Sequence, residues 1–123
     1  DELGGAWRGG SAHLTVDVHW NGRRVGHLDS GAEMSLHFGQ LIAHLARTRH
    51  VRAGSIVGSG TLSQRDAAAG VGCLIEQRAR ELLEHGEPRT AYMAFGDRLR
   101  IEALDGEGQS VFGAIDQRVA AAA

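Results

Sequence analysis

Cysteine is almost missing from this chain of 123 residues: Cys73 stands alone, so no intrachain disulfide can form, and a reduced cytoplasmic setting is expected. Aromatic residues make up only 5%, too few for a base-stacking platform, which leaves aliphatic side chains to fill the interior. Neither sign of charge dominates. Thirteen basic and fifteen acidic residues are interspersed for a net charge of −2, with no basic stripe for nucleic-acid backbones or anionic membranes. No apolar run is long enough to span a bilayer, and the Asp1-Glu2-Leu3-Gly4 start is unlike a secretory signal. There is no initiator Met, as in a chain that starts inside a longer reading frame or has been trimmed. Proline occurs once against eighteen glycines, which points to many tight turns.

What is present is ordinary globular material. Hydrophobic residues account for 42% and charged ones for 23%, and the length suits one small domain with a single core. His13 to Trp20 alternates apolar and polar residues and runs into Asn21-Gly22, so a β-hairpin is predicted, with Arg23 to His27 as a short, basic return strand. Met34 to Thr48 carries Phe38, Leu41, Ile42 and Leu45 at helical spacing, with Ser35 as a plausible cap.

Ser55 to Thr61 reads as a buried strand, Leu62 to Val71 as a loop, and Cys73 to Gln77 as another strand. Arg78 to His85 reads as a short helix stopped by Gly86 and Pro88. Arg98 to Leu104 alternates cleanly, Asp105-Gly106 turns the chain, and Gln109 to Val119 returns as the last strand. The sum is a β-rich α+β unit with two helical segments.

Gly58-Ser59-Gly60-Thr61 is the most informative stretch. Glycines at the end of a strand let the backbone approach a ligand, and the hydroxyl that follows can donate to an anion. The same four residues also read as an ordinary strand exit, with Thr61 capping the loop after it. Glu76 is either a solvated carboxylate or one placed for a purpose; on its own the solvated reading is the commoner. His37 and His44 share a helical face but lack a third metal ligand at a telling distance, and no His-Glu-x-x-His pattern occurs. Cys73 reads as small core packing rather than a nucleophile. Asp97, Asp105 and Asp116 fall at predicted turns and strand ends, where aspartate is common, and their spacing defines no cation cage.

Four segments occur in an order that resembles the fumarylacetoacetate hydrolase family, its bacterial members in particular. They are Phe38 to His44, Arg52 to Thr61, Phe95 to Glu102 and Val111 to Gln117. The resemblance runs from about Asp1 to Val119, including the Asp1-Glu2-Leu3-Gly4 lead-in to Ala6-Trp7, and covers the C-terminal part of that family's catalytic domain. Residues 120–123 read as a frayed alanine tail.

The resemblance implies the mixed β-sheet roll of that domain. It also implies a role for Glu76, within Gly72-Cys73-Leu74-Ile75-Glu76, in orienting a histidine that activates the hydrolytic water. Thr61 matches the threonine that binds the substrate carboxylate, with Gly60 and Gly58 keeping the pocket wall thin. The family's divalent cation, Mg2+ or Ca2+, is held by an Asp-Glu-Glu-Asp set that would precede Asp1, and the partner histidine also lies upstream; no metal ligand is carried over to this chain.

The implied activity is hydrolysis of a C–C bond in a β-diketo acid of aromatic catabolism, such as tyrosine degradation, by a cytoplasmic homodimer with a small oxo-acid substrate and no nucleic-acid or membrane partner. The fold also hosts acylpyruvate hydrolysis, oxaloacetate decarboxylation and dienoate hydration. The alternative is a truncated or complementing piece that folds, pairs and catalyses nothing by itself.

Overall fold

The computed structural model describes residues 3–122; Asp1 and Glu2 of the lead-in and Ala123 of the alanine tail lie outside the described residues. A small two-stranded ladder comes first, β1 (Trp7–Arg8) against β2 (Ser11–Ala12), with Gly9 and Gly10 turning the chain at φ of 61° and 80°. The predicted hairpin follows as β3 (Thr15–Trp20) and β4 (Arg23–Asp29). Asn21 and Gly22 both have positive φ, 50° and 81°, the geometry a two-residue turn needs to match the twist of its strands.

Two helices are next in the chain, α1 (Phe38–Ala46) and α2 (Leu74–His85), and then a second hairpin, β5 (Arg98–Leu104) and β6 (Ser110–Arg118). The four long strands form one sheet in the order β4-β3-β5-β6. The fold is the expected β-rich α+β type, and the ladders among the described residues are antiparallel throughout rather than mixed. Val18, Ile101 and Ile115 lie opposite one another across β3, β5 and β6 and so share a face. Leu14, Val18, Leu28 and Val71 form the buried apolar centre, with Leu28 only 1% exposed.

Three local expectations are corrected. Ser55 to Thr61 is not a strand, and Ile56 is 97% exposed. A strand needs a ladder partner, and at the outer edge of β4 that place is taken by Gly70-Val71, through a Gly26–Gly70 bridge and a 3.0 Å bond from Val71 N to Val25 O. Ser55, Ile56 and Val57, between glycines, therefore join no ladder.

Cys73 to Gln77 is likewise not a strand: Cys73 sits at the helix N-cap position and Leu74 to Gln77 form the first turn of α2. The stretch Glu76-Gln77-Arg78-Ala79-Arg80-Glu81-Leu82 is built of strong helix formers, so the helix extends back over the short apolar run. Glu76 in the first turn also complements the helix dipole.

The first helix is shorter than Met34 to Thr48, and its cap is His37 instead of Ser35. His37 Nδ1 accepts from Gln40 N, while Gln40 Oε1 accepts from His37 N, a reciprocal cap. Its start is fixed from outside by Phe38 N, which donates to Gly10 O at 3.0 Å, and by the Phe38 ring, stacked on Trp7 at 6.0 Å.

Candidate functional site

The segment from Gly58 to Ser63 forms one wall of a cavity of about 380 Å³, whose other wall is the turn and loop from Asp29 to Leu36 with Leu41 of α1. Gly60 and Thr61 thus lie at a concave surface, though not at the end of a strand. A side-chain carbon placed on Gly58 or Gly60 would meet nothing within 4 Å, so contacts inside this chain do not demand glycine there. Crowding does demand glycine at Gly72, where such a carbon would sit 2.3 Å from Leu62 O. The backbone at Leu62 crosses directly over Gly72, and this brings the segment against the start of α2.

That crossing joins the two residues singled out from the sequence. Thr61 Oγ1 lies 3.9 Å from Cys73 Sγ, and two residues further on Ser63 Oγ donates to Glu76 Oε1 at 2.7 Å. Glu76 is not on a strand face but on the first turn of α2, pointing inward, its side chain 16% exposed. Oε1 also accepts from Arg80 Nη2 at 2.6 Å, one helical turn on. Oε2 is buried and has no hydrogen-bond partner among the described residues. An ionised carboxylate has about four acceptor positions, and a buried acceptor left unmatched costs about 1–3 kcal/mol, so this oxygen is poised for a donor.

Cys73 is half-buried and lines a second cavity, of about 500 Å³, walled by Val18, Leu99 and Ile101 of the sheet and by Leu74 and Met93. It packs at a helix start and not in a strand. Below it, Glu81 is a buried carboxylate that the sequence did not flag. It accepts from Thr90 Oγ1, Thr90 N, Arg89 N and Gln77 Nε2 at 2.5–2.8 Å, and these bonds, that of the Thr90 hydroxyl foremost, hold its pKa down at about 2. Arg78 donates to Thr90 O and lies over the Tyr92 ring at 4.3 Å, so the loop after α2 is tied back to the helix at several points.

The other candidates fall into structural roles. Asp97 and Asp105 bind backbone amides in turns, as expected. Asp116 lies within β6 and pairs with Arg98 through two bonds of 2.6 Å, which lower its pKa. His37 caps α1, and His44 is exposed in its last turn. Among the described residues no three His, Cys, Asp or Glu side chains converge on a point that could hold a metal ion. The described residues do not fit the divalent cation implied by the resemblance.

Arg80 and Ser63 are the partners of Glu76 that the sequence reading missed. The signal for Arg80 was present as Glu-x-x-x-Arg, which places both side chains on one helix face once Cys73 to Gln77 is no longer taken as strand.

Residues 4–120 match the family model described as fumarylacetoacetate (FAA) hydrolase C-terminal. No curated protein matches the chain.

Proposed function

The chain belongs to the fumarylacetoacetate hydrolase family through its C-terminal domain, and from that premise we propose that it supplies Thr61, Gly60 and Glu76 to a site that hydrolyses a C–C bond in a β-diketo or related oxo acid. The observation that carries this reading is the state of Glu76, whose Oε1 is bound by Ser63 and Arg80 while the buried Oε2 has no partner among the described residues. A carboxylate held in this way can accept the N–H of an imidazole. It then fixes the tautomer and stabilises the imidazolium that forms when the other ring nitrogen takes a proton from water.

No histidine among the described residues bonds Glu76, so the base comes from outside them. The water attacks one carbonyl carbon as it gives its proton to the imidazole, the bond to the neighbouring carbon breaks with its electron pair leaving as the enolate of the other oxo group, and that carbon takes the proton back from the imidazolium, which yields a carboxylic acid and a ketone. Thr61, on the wall of the 380 Å³ cavity, donates its hydroxyl to the substrate carboxylate and sets the distance from that carboxylate to the reacting carbonyl. Since the described residues offer no cation ligand set, the chemistry of a divalent metal is not assigned to this chain.

Substrates of aromatic catabolism, tyrosine breakdown included, a cytoplasmic location and a homodimer are parts of the same proposal. No helix among the described residues is long and apolar enough to cross a membrane.

A second reading, that of a complementing piece without activity of its own, is favoured by the outer face of α2. Glu76, Arg80 and Glu81 point inward on this helix, while Ile75 and Leu83 are exposed, as is Phe95 after it. An apolar face turned to solvent suits a surface made to be covered.

One experiment separates the two. Hydrolysis of fumarylacetoacetate and of acylpyruvates is measured with Mg2+ for this chain and for a protein extended upstream of Asp1. Turnover in the extended protein, lost on Glu76→Ala, supports the hydrolase. Turnover in neither supports the complementing piece.

A further inference from the structure

We propose that Arg80 is a positioning residue that locks Glu76 in one orientation and ties it to the segment bearing Thr61; this rests on the catalytic reading of Glu76 above. A single nitrogen, Arg80 Nη2, donates to Glu76 Oε1 at 2.6 Å and to Gln64 O at 2.9 Å. One cation therefore joins the carboxylate on α2 to the backbone of the neighbouring segment. That segment is pinned at three successive residues: Ser63 to Glu76, Gln64 through its side chain to Asp29 N at 3.1 Å, and Arg65 N to the Glu33 carboxylate at 3.2 Å. The path runs without a break from the end of β4 through Gln64 and Arg80 to Glu76.

Stability alone is a poor reason for this arrangement. An i,i+4 ion pair adds little to a helix, and less when a long side chain must be ordered to make it. Its geometric consequence is larger. Both donors fall on one oxygen, so turning the carboxylate out of this plane breaks two charge-assisted bonds, and the other oxygen is held in one fixed direction. A base that must be aligned through a carboxylate needs that carboxylate fixed first. The Arg80 side chain is only 27% exposed, which further limits its own freedom.

The test uses the protein that carries this chain as its C-terminal domain, assayed on an acylpyruvate with Mg2+ across pH. Arg80→Met keeps the stem and removes both bonds; Arg80→Lys keeps a donor nitrogen able to serve both acceptors. Arg80→Met is expected to lower kcat ~10–100-fold, the usual effect of losing a group that orients a catalytic one. KM should stay nearly constant, and Arg80→Lys should recover most of the loss. The double variant Glu76→Gln/Arg80→Met should be no slower than Glu76→Gln, since Arg80 acts through Glu76.

Thermal unfolding of each variant identifies a folding defect; a kcat loss in Arg80→Met that merely follows its midpoint, and that Lys does not recover, overturns the proposal. Full kcat in Arg80→Met with a large loss in Glu76→Gln also overturns it and leaves the catalytic reading standing. Full kcat in Glu76→Gln removes both.

Discussion

Asn21 and Asp97 lie 76 residues apart in the chain and share a 2.8 Å hydrogen bond, from the Asn21 amide to Asp97 Oδ1. The same Asn21 side chain accepts from Arg98 N at 2.8 Å, so the tip of the first hairpin is stitched to the beginning of β5. The bond from Asn21 is also the main reason the Asp97 pKa lies below the usual carboxylate value.

Asn21 serves turn and sheet together, having a φ of 50° that few residues adopt and an amide that bonds in two directions. Asn21→Ala should therefore destabilise the chain by about 1–3 kcal/mol, through lost hydrogen bonds and left-handed strain acting together. Asn21→Gly should fall between wild type and Ala, because it removes the bonds and keeps the turn. Urea unfolding of the three proteins checks the order.

Acid should weaken the tie between α2 and the loop that follows it. Glu81 titrates near 2 in the folded chain against an ordinary 4.5, so its carboxylate favours the folded state at pH above 4.5. That contribution is lost as pH falls from 4.5 toward 2, since the unfolded chain takes up the proton first. Glu81→Gln places an amide where four donors converge; it should lower the unfolding midpoint at pH 7 and flatten the pH dependence below 4.5. Glu84→Gln, at an exposed carboxylate on the same helix, serves as the reference that changes little. Thermal unfolding across pH reads both.

Glycine positions divide into two kinds that a substitution series will separate. Gly72→Ala forces a carbon to within 2.3 Å of Leu62 O and should destabilise the chain by roughly 1–3 kcal/mol, the range for overfilling a packed contact. Gly60→Ala meets nothing within 4 Å and should leave stability within about 0.5 kcal/mol. If Gly60→Ala nevertheless weakens substrate binding in the active protein, the demand for glycine at the cavity wall comes from the ligand and not from the fold.

Much of the sheet could be read directly from the chain, and most of the site could not. Period-two alternation at Thr15 to Trp20 and Arg98 to Leu104, with Asn21-Gly22 and Asp105-Gly106 beside them, carries its own turn chemistry, and those hairpins form where they were expected. Ser55 to Thr61 failed because three apolar-leaning residues between glycines say nothing about a ladder partner, which is a tertiary matter. Cys73 to Gln77 failed because a three-residue apolar stretch has no period of its own; the helix formers from Glu76 onward decided it. Glu76 and Thr61 were found by resemblance, yet the contacts that relate them, Leu62 over Gly72 and Arg80 to Gln64 O, depend on a loop whose path no local pattern encodes.

Thr61 offers the sharpest check on the substrate side. Its hydroxyl is exposed toward the cavity, with only a weak 3.9 Å contact from the Cys73 thiol, so removing it leaves no buried group without a partner and the fold should not register the change. A hydrogen bond to a charged carboxylate is worth about 1.5–3 kcal/mol, which corresponds to roughly a 10- to 150-fold rise in KM for Thr61→Val if the hydroxyl binds the oxo acid. Thr61→Ser keeps the donor and should bind nearly as well as wild type. A substrate amide, with the carboxylate charge removed, should bind Thr61→Val and wild type with much more similar KM values than the acid does. Equal KM for the acid in all three proteins would show that the carboxylate is held elsewhere, and the pocket would then have to be assigned to another wall of the cavity.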